Sequence, residues 1–150
     1  MNYLLDTNII FIYIRDKKTR QFIDSIFNPF GESNTPIISV VTVGEIQSIA
    51  RRNRWGTTKL KLLDEILKEI VITDINSEDI IELYAEIDNF SQGKSDDKPL
   101  NNSARNMGKN DLWIAATASA LGCPFLTTDK DFQHLNNVFF EVILIDIIKS

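Results

Sequence analysis

The chain has 150 residues, 43% of them hydrophobic and 25% charged, which is the composition of one globular domain with a core of its own. No apolar run approaches the roughly 20 residues that span a bilayer, and the opening MNYLLDTN lacks the basic stretch expected of a secretory signal. A single cysteine, Cys123, excludes an internal disulfide and fits a reducing cytoplasm. A single histidine, His134, leaves little room for a His-based zinc site or a Ser-His-Asp triad. The net charge of −5 argues against coating nucleic acid through diffuse positive charge. It does not exclude a nuclease whose acids hold divalent cations, because bound ions reverse the local sign.

Taken in order, the chain alternates short apolar runs with amphipathic stretches. Tyr3-Leu4-Leu5 reads as a strand, Asp6-Thr7-Asn8 as a polar turn and Ile9 to Ile14 as a helix. Arg15 to Arg20 is a charged junction, and Gln21 to Phe27 a second helix. Asn28 to Pro36 is a loop and Ile37-Ile38 the second strand, after which Ser39 caps a helix reaching about Asn53. Arg51-Arg52-Asn53-Arg54-Trp55 is the most basic patch, with Gly56 as terminator. Leu60, Leu63, Leu67 and Ile70 recur at helical spacing, Ile70 to Ile75 is a third strand, and Ser77 caps a helix to about Phe90.

Ser91 to Lys109 is polar, carries Gly93, Pro99 and Gly108, and has no periodicity, so it reads as a long surface loop. Asn110 opens a helix that is apolar around most of its circumference and therefore buried on more than one side. Pro124 to Thr127 is the fourth strand, Lys130 to Leu135 a short helix and Val138 to Ile145 a last strand. The alternation predicts an α/β fold: three layers, α/β/α, around a central, mainly parallel sheet.

In such a fold the strand carboxyl ends share one edge, where α/β proteins build their sites. Asp6, Asp129 and Asp131 follow strands, and Glu45 and Asp111 lie near helix starts, so all five can reach that edge. Each acid has a plainer explanation on its own. Asp6 could cap a helix, Thr42-Val43-Gly44-Glu45 matches a capping box, Asp111 could complement a helix dipole, and Asp129 and Asp131 could be turn residues. Together these explanations are less economical. Carboxylates about 5 Å apart repel by roughly 3 kcal/mol per pair at an effective dielectric of about 20, and a fold gains nothing from that without a cation. Oxygen-only ligands select Mg²⁺ or Mn²⁺ over zinc, which is the equipment for hydrolysing a phosphodiester.

YLLDTNII (Tyr3 to Ile10), SVVTVGEI (Ser39 to Ile46), NDLWIAATA (Asn110 to Ala118) and LTTDKDF (Leu126 to Phe132) resemble, in order and nearly end to end, the PIN-domain ribonucleases, close to the VapC toxins of bacterial toxin–antitoxin pairs. The resemblance implies that Asp6, Glu45, Asp111 and Asp129 are catalytic, metal-binding acids for Mg²⁺ or Mn²⁺, with Asp131 able to assist or replace Asp129. It makes Thr7, Asn8 and Thr128 supporting polar residues, and it implies an RNA substrate, a cognate antitoxin partner and a homodimer. Arg51, Arg52 and Arg54 are one candidate group of RNA-guiding bases, and Lys94, Lys98, Arg105 and Lys109 another, while Trp55 belongs to a core or an interface. The alternative function is a non-catalytic PIN-like module that binds RNA or protein. A phosphatase of the haloacid-dehalogenase type would want a second acid two residues after Asp6, where Asn8 stands.

Overall fold

The computed structural model describes residues 1–149. The first half contains β1 (Asn2–Leu5), α1 (Thr7–Arg15), α2 (Lys17–Ile26), β2 (Thr35–Ser39), α3 (Val40–Arg52), α4 (Thr57–Lys68) and β3 (Val71–Thr73). The second contains α5 (Glu78–Ser91), α6 (Lys109–Leu121), β4 (Phe125–Thr127), a 3₁₀ helix (Lys130–Leu135) and β5 (Val142–Leu144). The strands form one five-stranded sheet in the order β3-β2-β1-β4-β5, and every pairing is parallel.

Strand alternation sorts the side chains onto two faces. Leu4, Ile37, Phe125 and Val142 join α5, α6 and the 3₁₀ helix in one apolar cluster. Leu5, Ile38 and Leu126 join α1, α2, α4 and the inner side of α3 in the other. This is the expected three-layer arrangement. α6 serves it by burying Leu112, Ile114, Ala115, Ala116 and Ala118 around its circumference, and it stops at Gly122, whose φ of 64° lies in the left-handed region.

Several boundaries differ from expectation for local reasons. α2 begins at Lys17, not Gln21, because the Asp16 carboxylate accepts hydrogen bonds from the Thr19 N–H (3.1 Å) and hydroxyl (2.8 Å). The Arg15–Arg20 segment is therefore mostly the start of a helix. β3 stops at Thr73 since the Asp74 carboxylate turns back to accept from Ile75 and Asn76 N–H. β5 starts only at Val142: Asn137 adopts φ 60° and its N–H bonds the Phe140 carbonyl at 2.8 Å, so the apolar residues from Val138 to Phe140 form a turn. Residues 92–108 have neither helix nor strand, as expected of the loop, yet Ser91 itself is the fully buried last residue of α5.

Candidate active site

β1 and β4 are neighbours at the centre of the sheet, and β2 and β5 lie outside them. β2 and β3 are added on one side of β1 and β4 and β5 on the other, so the strand order switches between β1 and β4, and the crevice beyond the carboxyl ends at such a switch is where α/β sheets bind ligands. Leu5 is in register with Leu126, so the next residue of each strand, Asp6 and Thr127, also stand side by side. The Thr127 hydroxyl donates to Asp6 Oδ2 at 2.6 Å, and the Thr7 N–H donates to Asp6 Oδ1 at 2.8 Å. Asp6 is thus both the N-cap of α1 and an acid of the crevice.

The other acids are placed by neighbouring elements. The Thr7 hydroxyl donates to Glu45 Oε1 at 2.7 Å and lies 3.3 Å from the Thr42 hydroxyl. The capping-box reading of Thr42 and Glu45 does not hold: α3 is capped by Ser39, whose Oγ accepts from Val41 N–H at 3.1 Å. That leaves Glu45 a turn further on, facing Thr7. Asp111 lies in the first turn of α6. Asp129 follows β4, its N–H donating to the Thr127 hydroxyl at 3.0 Å and its carboxylate capping the 3₁₀ helix by accepting from Asp131 N–H at 2.9 Å. Thr127 therefore connects Asp129 to Asp6 through one hydroxyl.

Electrostatics show that these acids are neighbours. Burial pushes the Asp6 carboxyl up to about 6 despite its two hydrogen bonds, with smaller contributions from the charges of Asp129 and Glu45. Burial also pushes Asp111 up to about 7, helped by repulsion from Asp6, Asp129, Glu45 and Asp131. The structure thus brings together all five acids named from the sequence. As they stand, no three His, Cys, Asp or Glu side chains among the described residues are grouped closely enough to hold a metal ion ready-made. The test of fit is then donor chemistry. The edge offers carboxylate and hydroxyl oxygens, and among the described residues only Asp131 of its five acids has an ion-pair partner, which suits a hard divalent cation.

The supporting residues are only partly those expected. Thr7 bonds Glu45, Asn8 is exposed, Thr128 is half-buried, and Thr127 rather than Thr128 bonds Asp6. A strand residue flanking another strand's acid is invisible until the register is known, so Thr127 had no signal beyond its place at the end of an apolar run. Arg51, Arg52 and Arg54 are all exposed. Arg52 shares a depression of about 460 Å³ with Glu45, Ser48 and Asn110, and Arg51 one with Gly44, Gln47 and Ser48. Trp55 is a core-edge residue, packed edge-to-face on Phe11 with 5.9 Å between centroids. Of the second basic group, Lys94 and Lys98 line a hollow against α5 and Phe139, away from the acids, whereas Arg105 pairs with Asp131 at 3.5 Å. His134 is buried, with Nε2 2.7 Å from the Ser91 hydroxyl; burial and the Arg105 charge lower its pKa. Among the described residues no helix is long and apolar enough to cross a membrane.

Comparison with known proteins agrees with this architecture. Among solved structures the chain is similar to VapBC2 from Rickettsia felis, bound to a DNA fragment from its promoter, at TM-score 0.72 and 22% identity, covering 97% of this chain and 100% of that one. It is similar to VapBC-1 from nontypeable Haemophilus influenzae at TM-score 0.71 and 21% identity, covering 96% and 98%. It is also similar to a toxin–antitoxin complex from Klebsiella pneumoniae at TM-score 0.69 and 20% identity, covering 97% and 99%. At these identities the likeness is one of fold. No curated protein sequence matches the chain. The sequence model of the PIN domain matches residues 3–138, from β1 through the 3₁₀ helix and its exit, and the chain therefore belongs to the PIN domain family.

Proposed function

We propose that the protein is an endoribonuclease that hydrolyses RNA phosphodiester bonds with Mg²⁺ or Mn²⁺. PIN domains are generally nucleases. The observation that carries the finer reading is the gathering of Asp6, Glu45, Asp111 and Asp129 at one sheet edge, where burial raises Asp6 and Asp111 first and repulsion from neighbouring acids adds to it, from Asp129 and Glu45 at Asp6 and from Asp6, Asp129 and Glu45 at Asp111. A bound divalent cation would supply an activated water and neutralise charge on the phosphate oxygens. The chain's own residues do the rest. Thr7 and Thr127 fix the carboxylates of Asp6 and Glu45 in orientation. Asp111, pushed up to about 7 by burial and by its acidic neighbours in the metal-free chain, is the acid whose ionisation a bound cation would favour most. Arg51, Arg52 and Arg54 are the bases that would guide the RNA backbone, a reading supported by the exposure of all three and by the depression that Arg52 shares with Glu45. No side-chain nucleophile is required.

The fold neighbours are toxin–antitoxin complexes over nearly their full length, which supports reading this chain as the toxin of such a pair, a cytoplasmic homodimer held by a cognate antitoxin. An acidic edge on a chain of net charge −5 suits a basic partner segment. The test is cleavage of single-stranded and structured RNA over a panel of metals. Wild type is expected to cut with Mg²⁺ or Mn²⁺, and Asp6→Asn and Asp111→Asn each to lose at least about 100-fold in rate. RNA binding without cutting under every metal would instead make the chain a binding module.

A further inference from the structure

Beside Asp111 lies a cavity of about 370 Å³ whose lining includes Arg105, Asn106, Met107, Gly108, Asp111 and Asp131. Arg105 is the only basic side chain in that lining. Its base is firmly held. Arg105 N–H bonds the Ser91 carbonyl at 2.8 Å, while the buried Ser91 hydroxyl meets Met107 Sδ at 3.2 Å and His134 Nε2 at 2.7 Å. Its head is not. Nη1 reaches the Asp131 carbonyl only at 3.4 Å and the Asp131 carboxylate at 3.5 Å, and Nε is buried without a hydrogen-bond partner among the described residues. The Asp131 side chain is 72% exposed, and ion pairs of that kind hold their partners weakly. A guanidinium carries five donors in a planar fork suited to phosphate, and most of this fork is uncommitted.

We propose that Arg105 is a substrate-binding residue that takes a backbone phosphate of the RNA next to the bond being cut, and that Asp131 is its resting counter-ion rather than a metal ligand. This rests on the nuclease reading above and deepens it. An incoming phosphate displaces Asp131, which swings into solvent, and Arg105 then offers its free donors from the anchored segment. Asp129 alone completes the metal-binding set after β4.

The test uses the whole chain and reads binding as well as cleavage. Affinity for a fluorescent single-stranded oligoribonucleotide is measured with Ca²⁺ in place of Mg²⁺ over a salt series, and Mn²⁺ affinity is measured without RNA. Arg105→Ala is expected to weaken RNA binding roughly tenfold or more and to lower the slope of log affinity against log salt by about 0.7, the value of one single-strand phosphate contact. Its Mn²⁺ affinity should match wild type. Arg105→Lys keeps the charge but not the planar fork, so it should keep the wild-type slope while still binding RNA more weakly than wild type, and that loss carries the test should the alanine variant fold poorly. Asp131→Asn should bind RNA at least as tightly as wild type and keep wild-type Mn²⁺ affinity, whereas Asp129→Asn should lose it. A wild type that cleaves RNA while Arg105→Ala binds it equally well overturns this inference alone, as does an Asp131→Asn variant that loses Mn²⁺ to the extent Asp129→Asn does. A wild type that neither binds nor cleaves RNA overturns both readings.

Discussion

Thr127 and Thr7 are small residues with large consequences for the acids around them. Each has a hydroxyl that can donate once, and each gives that proton to a carboxylate: Thr127 to Asp6 and Thr7 to Glu45. Thr127 also accepts from the Asp129 N–H, so its replacement by the isosteric valine leaves the buried Asp6 carboxylate and the half-buried Asp129 N–H without that partner. Thr127→Val should cost about 1–3 kcal/mol of stability, the penalty for leaving a buried polar group unpaired. It should also raise the Asp6 pKa further, because a hydrogen bond that now lowers it is lost. Thermal melts read the first effect, and a shift of the pH–rate profile to higher pH reads the second. Glu45→Gln makes an instructive contrast, because its amide oxygen still accepts from Thr7. Its metal-free fold should stay intact, whereas a capping-box role would have cost it stability.

At the level of elements, Asp16 is the residue a sequence reading most easily overlooks. It sits among Arg15, Lys17, Lys18 and Arg20, where it looks like one more charge in a junction, yet it closes α1 and opens α2. The signal was present: an aspartate three residues before the fully buried Thr19 is an N-cap pattern. Asp16→Ala should destabilise the protein by about 1 kcal/mol while leaving Mn²⁺ affinity untouched, since neither helix end belongs to the acidic edge. A urea titration beside a metal titration separates the two. The strands show the opposite error. Apolar composition overestimated β3 and β5, because Asp74 and the Asn136-Asn137 turn decide where ladder pairing ends. Phe139 and Phe140 are apolar because they pack on the α5–α6 side of the core, whereas Val138 is exposed in the turn.

Over the whole molecule the acidic edge acts as a stored electrostatic cost. Asp6 and Asp111 titrate near 6 and 7 in the folded chain against 3.8 for the ordinary carboxylate. Between those values the folded chain keeps protons that the unfolded chain has released, so this contribution to stability is full at low pH and is lost as pH rises through 6 and 7. His134 works the other way, its pKa being lowered from 6.5, and removes stability as pH falls below about that value. The clean window is therefore pH 6.5 to 8, where the melting temperature of the metal-free protein should fall with rising pH. Asp111→Asn should flatten that fall and, at pH 8, gain about 1 kcal/mol once its partial exposure is discounted, roughly 2–4 °C. Mn²⁺ should reverse the slope in wild type, because the cation favours the ionised acids. By itself the sequence determined the layered α/β class and the order of the elements, and it put five acids where strands end or helices begin, because hydrophobic period and the placement of polar breaks are local properties. Only the tertiary structure decided that Thr127 rather than Thr128 holds Asp6, that Glu45 faces Thr7 instead of capping α3, and that Arg105 lies against Asp131. Those are contacts between segments distant in the chain, fixed by strand register and helix packing, which no local pattern encodes.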